Sequence, residues 1–210
     1  MRRIMIYGDS LTYGFDPRGY FGGRYPEPVR WTTRLAQIMT GQWEILTDAV
    51  NGREIPSSPK ETEYIKSLLA QAMPLDLFAV LLGTNDYLNM YEPDIVEVVG
   101  RMKKLLETLR DTDEIKNAGT ALMLIAPPCI HTKTDNFYAK YDTTNGLFSK
   151  AYKALAEHMG IWFVDVSQWQ LEPAFDHIHL SEEGNIRFAD RMEETLTNVA
   201  MHLDLEQRDS

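Results

Sequence analysis

Short apolar runs alternate with longer segments of helical periodicity along the chain. The runs cover residues 4–7, 43–50, 75–82, 120–126 and 161–166. A continuous apolar run, such as residues 4–7, is typical of a strand that is covered on both faces, as in a parallel sheet. Residues 43–50 alternate before they run apolar, and Asp76 alone breaks the run 75–82. About five βα units in succession therefore predict an α/β fold, with one parallel sheet between two layers of helices. The chain is too short for a closed barrel, which needs eight such units.

Start and stop signals bound the predicted helices. Ser58-Pro59-Lys60-Glu61 is a capping box with proline at the first helical position, and Pro74 ends the helix that begins there. The other helices are predicted from Pro28 to Gly41, from Pro93 past Leu109, from Leu147 to Gly160 and from Ser181 onwards. In the first of them, the residues with helical spacing that we expect to face the core are Trp31, Leu35, Ile38 and Met39. Residues 207–210 are expected to fray.

Four polar clusters lie where predicted strands end or just after the last strand. They are Asp9-Ser10, Asn51-Gly52, Gly83-Thr84-Asn85-Asp86 and Asp176-His177-Ile178-His179. The carboxyl ends of parallel strands meet at one edge of the sheet, where open α/β proteins bind their ligands. We therefore expect these side chains to be neighbours, although they are far apart in the sequence.

This combination of residue types suits nucleophilic catalysis. A serine hydroxyl needs a base within hydrogen-bond distance and a third group that orients the base. Ser10 is the candidate nucleophile, His179 the candidate base, and Asp176 the group that orients the base from three residues earlier. The main-chain amides of Ser10 and Gly52 and the side-chain amide of Asn85 are candidates for stabilising an oxyanion.

The same clusters resemble the sequence blocks of the SGNH hydrolases, also called the GDSL esterase family. The resemblance rests on Gly8-Asp9-Ser10-Leu11, Asn51-Gly52, Gly83-Thr84-Asn85-Asp86 and Asp176-His177-Ile178-His179-Leu180, and it covers the chain from Ile4 to about Leu196. It implies a flavodoxin-like three-layer α/β/α sandwich with a five-stranded parallel sheet. It also implies a nucleophile at Ser10, an Asp176–His179 pair, and an oxyanion hole from Ser10, Gly52 and Asn85. We expect neither a cofactor nor a metal.

Residues 29–35 also look like the first helix of the arylesterase and perhydrolase-type branch of that family. Members of this branch act on short acyl esters and are often oligomers, so a small-molecule ester substrate and a homo-oligomer are expectations here. Arg53 and Glu54 depart from the small or hydroxylated residues that relatives commonly have after Gly52. We interpret Arg53, together with Asp9 and Trp31, as candidate substrate-binding residues. Core packing is the alternative for Trp31.

Two other classes of function stay open at this point. His177 and His179 beside Asp176 have a spacing that also occurs in metal sites, so a metal-dependent hydrolase is one alternative. The other is a binding module on the same architecture, either a flavin or phosphate binder or a catalytically silent carbohydrate binder. The sequence contains no Gly-x-Gly-x-x-Gly motif and no P-loop, which disfavours the flavin or phosphate binder.

Length, charge and cysteine content restrict the partners and the compartment. We expect the 210 residues to form a single domain, 1–210, and the formal net charge of −10 without Lys and Arg clusters disfavours nucleic acid. No segment approaches the ~18 consecutive apolar residues of a membrane span. The four apolar residues after the two arginines near the start are too few for a secretory signal. With Cys129 as the single cysteine, we expect a cytoplasmic protein.

Two long segments without periodicity are predicted to be loops near the site. Residues 13–27 are rich in Gly, Pro, Tyr and Phe, which predicts a loop folded over the site. The aromatic residues that we interpret as a substrate wall or an interface are Tyr13, Tyr20, Phe21 and Tyr25. Residues 129–144 include His131, and loops of this length in compact domains are usually functional or mobile.

Overall fold

The computed structural model describes residues 1–19, 23–135 and 137–206. One sheet contains five strands, which are β1 (Arg2–Gly8), β2 (Trp43–Ala49), β3 (Leu77–Leu81), β4 (Ala121–Ile125) and β5 (Trp162–Val164). Their order in the sheet is β2-β1-β3-β4-β5, and every neighbouring pair is parallel. The predicted α/β fold with five parallel strands is confirmed. The predictions for Tyr20, Phe21 and the fraying of residues 207–210 lie outside the described residues.

The helices follow the strands as the βα pattern predicts. They are α1 (Ser10–Tyr13), α2 (Trp31–Ile38), α3 (Pro59–Ala72), α4 (Thr84–Leu88), α5 (Ile95–Arg110), α6 (Asp113–Lys116), α7 (Leu147–Met159) and α8 (Glu182–Glu206). The short helices α1, α4 and α6 were not predicted, because one turn is too short to display an apolar period. Within the described part of the chain, no helix has the length and apolar character needed to cross a membrane.

Two apolar cores form because alternate residues of each strand face opposite sides of the sheet. Tyr7, Phe78 and Val80 pack against α3, α5 and α7 on one face. Ile6 and Ala79 pack against α2 and α8 on the other face. The chain therefore folds as three layers, with helices covering both faces of the sheet.

One predicted core position is wrong. Ile38, at the end of α2, is 39% exposed, whereas Trp31 and Leu35 of the same helix are fully buried. The helix begins at Trp31 rather than near Pro28, because a turn closed by the N–H of Val29 on the carbonyl of Pro26 precedes it. Ile38 is the last of the eight residues of α2, and the next residue, Met39, is the one that is fully buried at this end of the helix.

The strand register brings three strand ends to one level. Gly8, the last residue of β1, pairs with Ala49 of β2 on one side and with Leu81 of β3 on the other. The chain moves from β1 to β2 in one direction and then returns to place β3 on the other side of β1. Such a reversal leaves a crevice at the carboxyl ends of the strands. The segments after β1, β2 and β3 are therefore neighbours at this edge.

Candidate active site

Ser10 is the first residue of α1, directly after β1. Oδ1 of Asp9 accepts a hydrogen bond from the N–H of Leu11 at 2.9 Å and so caps this short helix. A side chain at position 8 has no room, because a Cβ on Gly8 would lie 2.0 Å from Oγ1 of Thr12. The Gly8-Asp9-Ser10 sequence thus forms a tight strand-to-helix turn, and it holds Ser10 at the carboxyl edge of the sheet.

Three side chains that are distant in the sequence form one hydrogen-bonded row. Oγ of Ser10 lies 2.9 Å from Nε2 of His179, and Nδ1 of His179 lies 2.6 Å from Oδ2 of Asp176. A neutral His179 with its proton on Nδ1 donates to Asp176 and presents Nε2 as an acceptor to the Ser10 hydroxyl. The row therefore has the geometry for general-base activation of a serine hydroxyl.

A compact turn holds Asp176 and His179 in this orientation. Oδ1 of Asp176 accepts the N–H groups of Ile178 at 3.1 Å and of His179 at 3.0 Å, which leaves Oδ2 for the imidazole. Partial burial raises the pKa of Asp176, but the hydrogen bonds from the His179 ring and from the two amides outweigh burial, and the net pKa is lowered. An ionised Asp176 favours the His179 tautomer with the proton on Nδ1.

The candidate oxyanion donors come from the segments after β1, β2 and β3. Gly52 is the third residue of a turn in which the N–H of Arg53 donates to the carbonyl of Val50, and its φ of +74° is typical of glycine in a type II turn. Asn85 lies in the first turn of α4. In the described part of the chain, the N–H groups of Ser10 and Gly52 have no hydrogen-bond acceptor. Both amides are therefore available to a bound oxyanion.

Asp9 is a buried part of this framework, so the prediction that it binds substrate is wrong. It is 1% exposed. Oδ1 caps α1, and Oδ2 accepts a hydrogen bond from Nδ2 of Asn85 at 3.2 Å. Burial raises the pKa of Asp9 to about 7, although the N–H of Leu11 and the nearby His179 act in the opposite direction. The carboxyl group therefore contacts the protein on both oxygens and leaves no surface for a ligand.

Trp31 was predicted to contact substrate, but it lies in the core. The residue is completely buried, and its Nε1 donates to the main-chain carbonyl of Leu11 at 2.8 Å. Its ring packs against Phe188 of α8, with 4.4 Å between the ring centroids. Trp31 therefore supports α1 from within the core, which is the alternative that the sequence pattern left open.

The guanidinium of Arg53 is held by several groups of the protein. Nη1 donates to the carbonyls of Gly8 at 3.0 Å and Asp48 at 2.8 Å, and Nη2 pairs with the Asp48 carboxylate. The group also lies over the Tyr7 ring, 4.1 Å from its centroid. Glu54 is engaged as well, because its Oε1 accepts a hydrogen bond from Asn89 at 2.6 Å. Arg53 therefore fastens the turn after β2 to the end of β1, and its contact with a substrate stays a prediction.

Phe15 belongs to the site and was not singled out from the sequence. Its ring lies 4.6 Å from the His179 ring, centroid to centroid, and its N–H donates to the carbonyl of Ser10. Residues 13–27 therefore do reach the catalytic row, as their composition predicts. A lone aromatic residue in a loop without periodicity gave no signal for which position would do so. Tyr25 is 2% exposed, so it offers neither a substrate wall nor an interface.

His177 and His179 do not form the metal-ligand pair that was one alternative from the sequence. Both ring nitrogens of His179 are engaged, by Ser10 and Asp176. His177 is exposed, and its φ of +61° follows from the turn between Asp176 and His179. Across residues 1–19, 23–135 and 137–206, no three His, Cys, Asp or Glu side chains are grouped as metal ligands.

One cavity is lined by His179 and a second by Gly52. A cavity of about 160 Å³ lies beside His179, and its walls include Cys129, His131, Val166 and Leu180. Burial raises the pKa of the Cys129 thiol, so this cysteine is not activated as a nucleophile.

The second cavity is a groove of about 680 Å³, which begins at the 50–54 turn and extends to Tyr64 of α3. The charged residues in its wall are Arg53, Glu54, Lys60 and Glu61.

A comparison with known families identifies the family of this chain. The model of the GDSL-like Lipase/Acylhydrolase family matches residues 6–186, a range that includes Ser10, Asp176 and His179. The chain belongs to this GDSL-like family. It is accordingly a carboxylic ester hydrolase, and the family predicted from the sequence blocks is confirmed. No curated protein sequence matches this GDSL hydrolase significantly.

Several solved structures share the fold of this GDSL hydrolase over nearly its whole length. Est24, a carbohydrate acetylesterase from Sinorhizobium meliloti, is 25% identical with a TM-score of 0.79, covering 95% of this chain and 100% of its own. The native aryl esterase of M. smegmatis is 24% identical with a TM-score of 0.75, covering 94% and 99%. A carbohydrate acetylesterase family member from Sinorhizobium meliloti is 21% identical with a TM-score of 0.79, covering 93% and 97%. The predicted three-layer sandwich is thus confirmed.

Proposed function

We propose that this GDSL hydrolase is a serine esterase that works through an acyl-enzyme on Ser10. The observation that carries the proposal is the row from Ser10 through His179 to Asp176, with contacts of 2.9 Å and 2.6 Å. The row lies at the carboxyl edge of the sheet, where His179 lines one cavity and the oxyanion candidate Gly52 lines another. Nucleophile, base and orienting carboxylate are each within hydrogen-bond distance of the next group.

The reaction follows from the positions of these groups. His179 takes the proton of Ser10 at Nε2 while Oγ attacks the ester carbonyl. The resulting imidazolium is stabilised by Asp176 and returns the proton to the leaving alcohol. Water then attacks the acyl-enzyme with His179 again as the base, and Ser10 is released. The negative oxygen of each tetrahedral intermediate is stabilised by the amides of Ser10, Gly52 and Asn85.

Short acyl groups, acetyl among them, are the proposed substrates. The cavity beside His179 holds about 160 Å³, roughly the volume of five water molecules, which suits a small group better than a fatty acyl chain. The larger groove has four charged residues in its wall, and burying a long alkyl chain among charged groups gains little free energy. The 25% identity to Est24, a carbohydrate acetylesterase, supports the same direction.

An active-site probe tests the mechanism. After incubation with a fluorophosphonate in the presence of a chelator, intact mass should show one adduct on the wild type and none on Ser10→Ala. His179→Ala should stay folded but label far more slowly, because Ser10 loses its base. Ser67→Ala is the matched control, since Ser67 is an exposed serine of α3, and it should label as the wild type does. Labelling of Ser10→Ala, or no labelling of the folded wild type, would refute the serine mechanism.

A series of p-nitrophenyl esters tests the acyl preference. We expect kcat/KM to be highest for acetate or propionate and to fall as the chain lengthens, because the small cavity and the charged groove do not accommodate a long alkyl chain. A rise in kcat/KM towards octanoate would contradict the preference and leave the serine mechanism intact.

A further inference from the structure

The side-chain amide of Asn85 is held by two acceptors. Its Nδ2 carries two hydrogens, and it donates to Oδ2 of Asp9 at 3.2 Å and to the main-chain carbonyl of Arg53 at 3.0 Å. Two acceptors in different directions determine the plane of an amide group. The orientation of Asn85 therefore depends on Asp9 and on the turn that contains Arg53.

Both acceptors are themselves held in place. Oδ1 of Asp9 is bound to the N–H of Leu11, and the residue is 1% exposed, so bulk water does not compete for its oxygens. The Arg53 carbonyl follows the Gly52 turn, which the Arg53 guanidinium fastens to Gly8 and Asp48. Asp9 and the Arg53 carbonyl are thus held in position by the protein itself, without a contribution from substrate.

We propose that Asp9 is a positioning residue that orients the Asn85 amide towards the oxyanion. The inference rests on the proposed function, in which Asn85 is an oxyanion donor. The Asp9 contact of 3.2 Å is longer than the 2.9–3.0 Å that is usual for such bonds, so this hydrogen can be shared with a stronger acceptor. An oxyanion next to Ser10 is such an acceptor and would share this hydrogen with Asp9.

The protonation of Asp9 is compatible with a position next to an oxyanion. The ionisable groups that act on it are His179, before α8, and Asp86 of α4. Because burial raises its pKa to about 7, the carboxyl group can hold a proton near neutral pH. Its repulsion of a developing oxyanion is then reduced, while the carbonyl oxygen of the acid still accepts from Asn85.

Two substitutions at Asp9 separate positioning from capping. Asp9→Asn keeps the shape and an oxygen for Leu11, but it turns an NH2 group towards the NH2 group of Asn85, which then loses its acceptor. Asp9→Ser keeps a good helix cap but is too short to reach Asn85. We expect both variants to lower kcat for p-nitrophenyl acetate by about 10²–10³-fold, the loss typical of one oxyanion donor, with KM nearly unchanged.

Coupling to Asn85 is the decisive test. Asn85→Ala should lower kcat to a similar extent, and adding Asp9→Ser to it should cause little further loss, because the two residues act as one unit. Asp165→Asn is the matched control: Asp165 caps the turn after β5 through the N–H of Ser167, and nothing connects it to Asn85. Any loss that it causes should be additive with Asn85→Ala.

A spectroscopic measurement tests the contact without relying on activity. The side-chain NH2 signals of Asn85 in a ¹⁵N–¹H spectrum, assigned by their absence in Asn85→Ala, should move in Asp9→Ser and stay in place in Asp165→Asn. Unmoved signals, or additive losses of Asp9→Ser and Asn85→Ala, would overturn the positioning role. An active Ser10→Ala variant would instead overturn the proposed function, so the two failures are distinguishable.

Discussion

Asp9 should make the stability of the folded protein depend on pH in an unusual direction for a carboxylic acid. Its pKa is about 7 in the folded protein and 3.8 in a solvated chain, because folding removes the group from water. A group with a raised pKa stabilises the folded state fully below its unfolded pKa, and this contribution is lost as pH rises through its folded pKa. The wild type should therefore lose stability between pH 4 and pH 7, because the unfolded chain loses the Asp9 proton over this range while the folded protein retains it.

The magnitude follows from the difference between the two pKa values. At about 1.4 kcal/mol for each pKa unit, the full difference corresponds to roughly 4 kcal/mol. Between pH 5 and pH 7 the free energy of unfolding should fall by up to about 1.4 kcal/mol for each pH unit, relative to a protein without a titrating group at position 9.

Asp9→Asn is that reference, because asparagine has the same shape and does not titrate. Urea unfolding of both proteins at half-unit steps from pH 5 to pH 8 gives the difference in free energy of unfolding, in which the contributions of other groups cancel. The difference should grow in favour of Asp9→Asn up to about pH 7 and level off above it. A difference that is constant over this range, or one that grows in favour of the wild type, would refute the argument from burial.

Two further predictions concern Arg53 and Trp31. Arg53→Ala should lower kcat/KM for p-nitrophenyl acetate by about 10-fold or more, because the Gly52 turn loses its connection to Gly8, and small displacements of catalytic groups cost this much. Arg53→Lys should not restore kcat/KM, since an ammonium group cannot bind Gly8 and Asp48 at the same time in the way that the forked guanidinium does. Wild-type kinetics in Arg53→Ala would show that the turn does not need the clamp. Trp31→Phe should lower the free energy of unfolding by about 1–3 kcal/mol in urea titrations, because the buried carbonyl of Leu11 loses its donor. KM should stay unchanged, and a large increase in KM would restore Trp31 as a substrate contact.

Much of the fold could be predicted because its signals are local. The apolar runs matched all five strands, with ends displaced by a few residues, as for the predicted 161–166 and the observed Trp162–Val164. The capping box at Ser58 and Glu61 is present as predicted, and it starts α3. By contrast, α1, α4 and α6 were missed, since a single turn depends on its caps and its neighbours rather than on a repeating apolar pattern.

The residue types of the site could be predicted from the sequence, but the roles of individual residues could be predicted less well. Ser10, Asp176 and His179 were placed together because each follows a strand of one parallel sheet. Asp9 and Trp31 were misassigned as substrate contacts, because a polar or aromatic residue next to a nucleophile has the same sequence signal whether it faces a ligand or the protein interior. The substrate contact of Arg53 stays a prediction. The homo-oligomer, the single domain and the cytoplasmic location stay predictions.

From the order of its amino acids, the chain could be divided into five strands with the chemistry of an esterase at their carboxyl ends. Local hydrogen bonding and apolar periodicity are sufficient for that, because both act over a few residues. The partners of individual side chains depend instead on the register that aligns Gly8 with Ala49 and Leu81. This alignment brings Asp9 to Asn85 and Arg53 to Gly8, and it arises from pairing of strand residues such as Ile4 with Ile45 and with Leu77, which are far apart in the sequence.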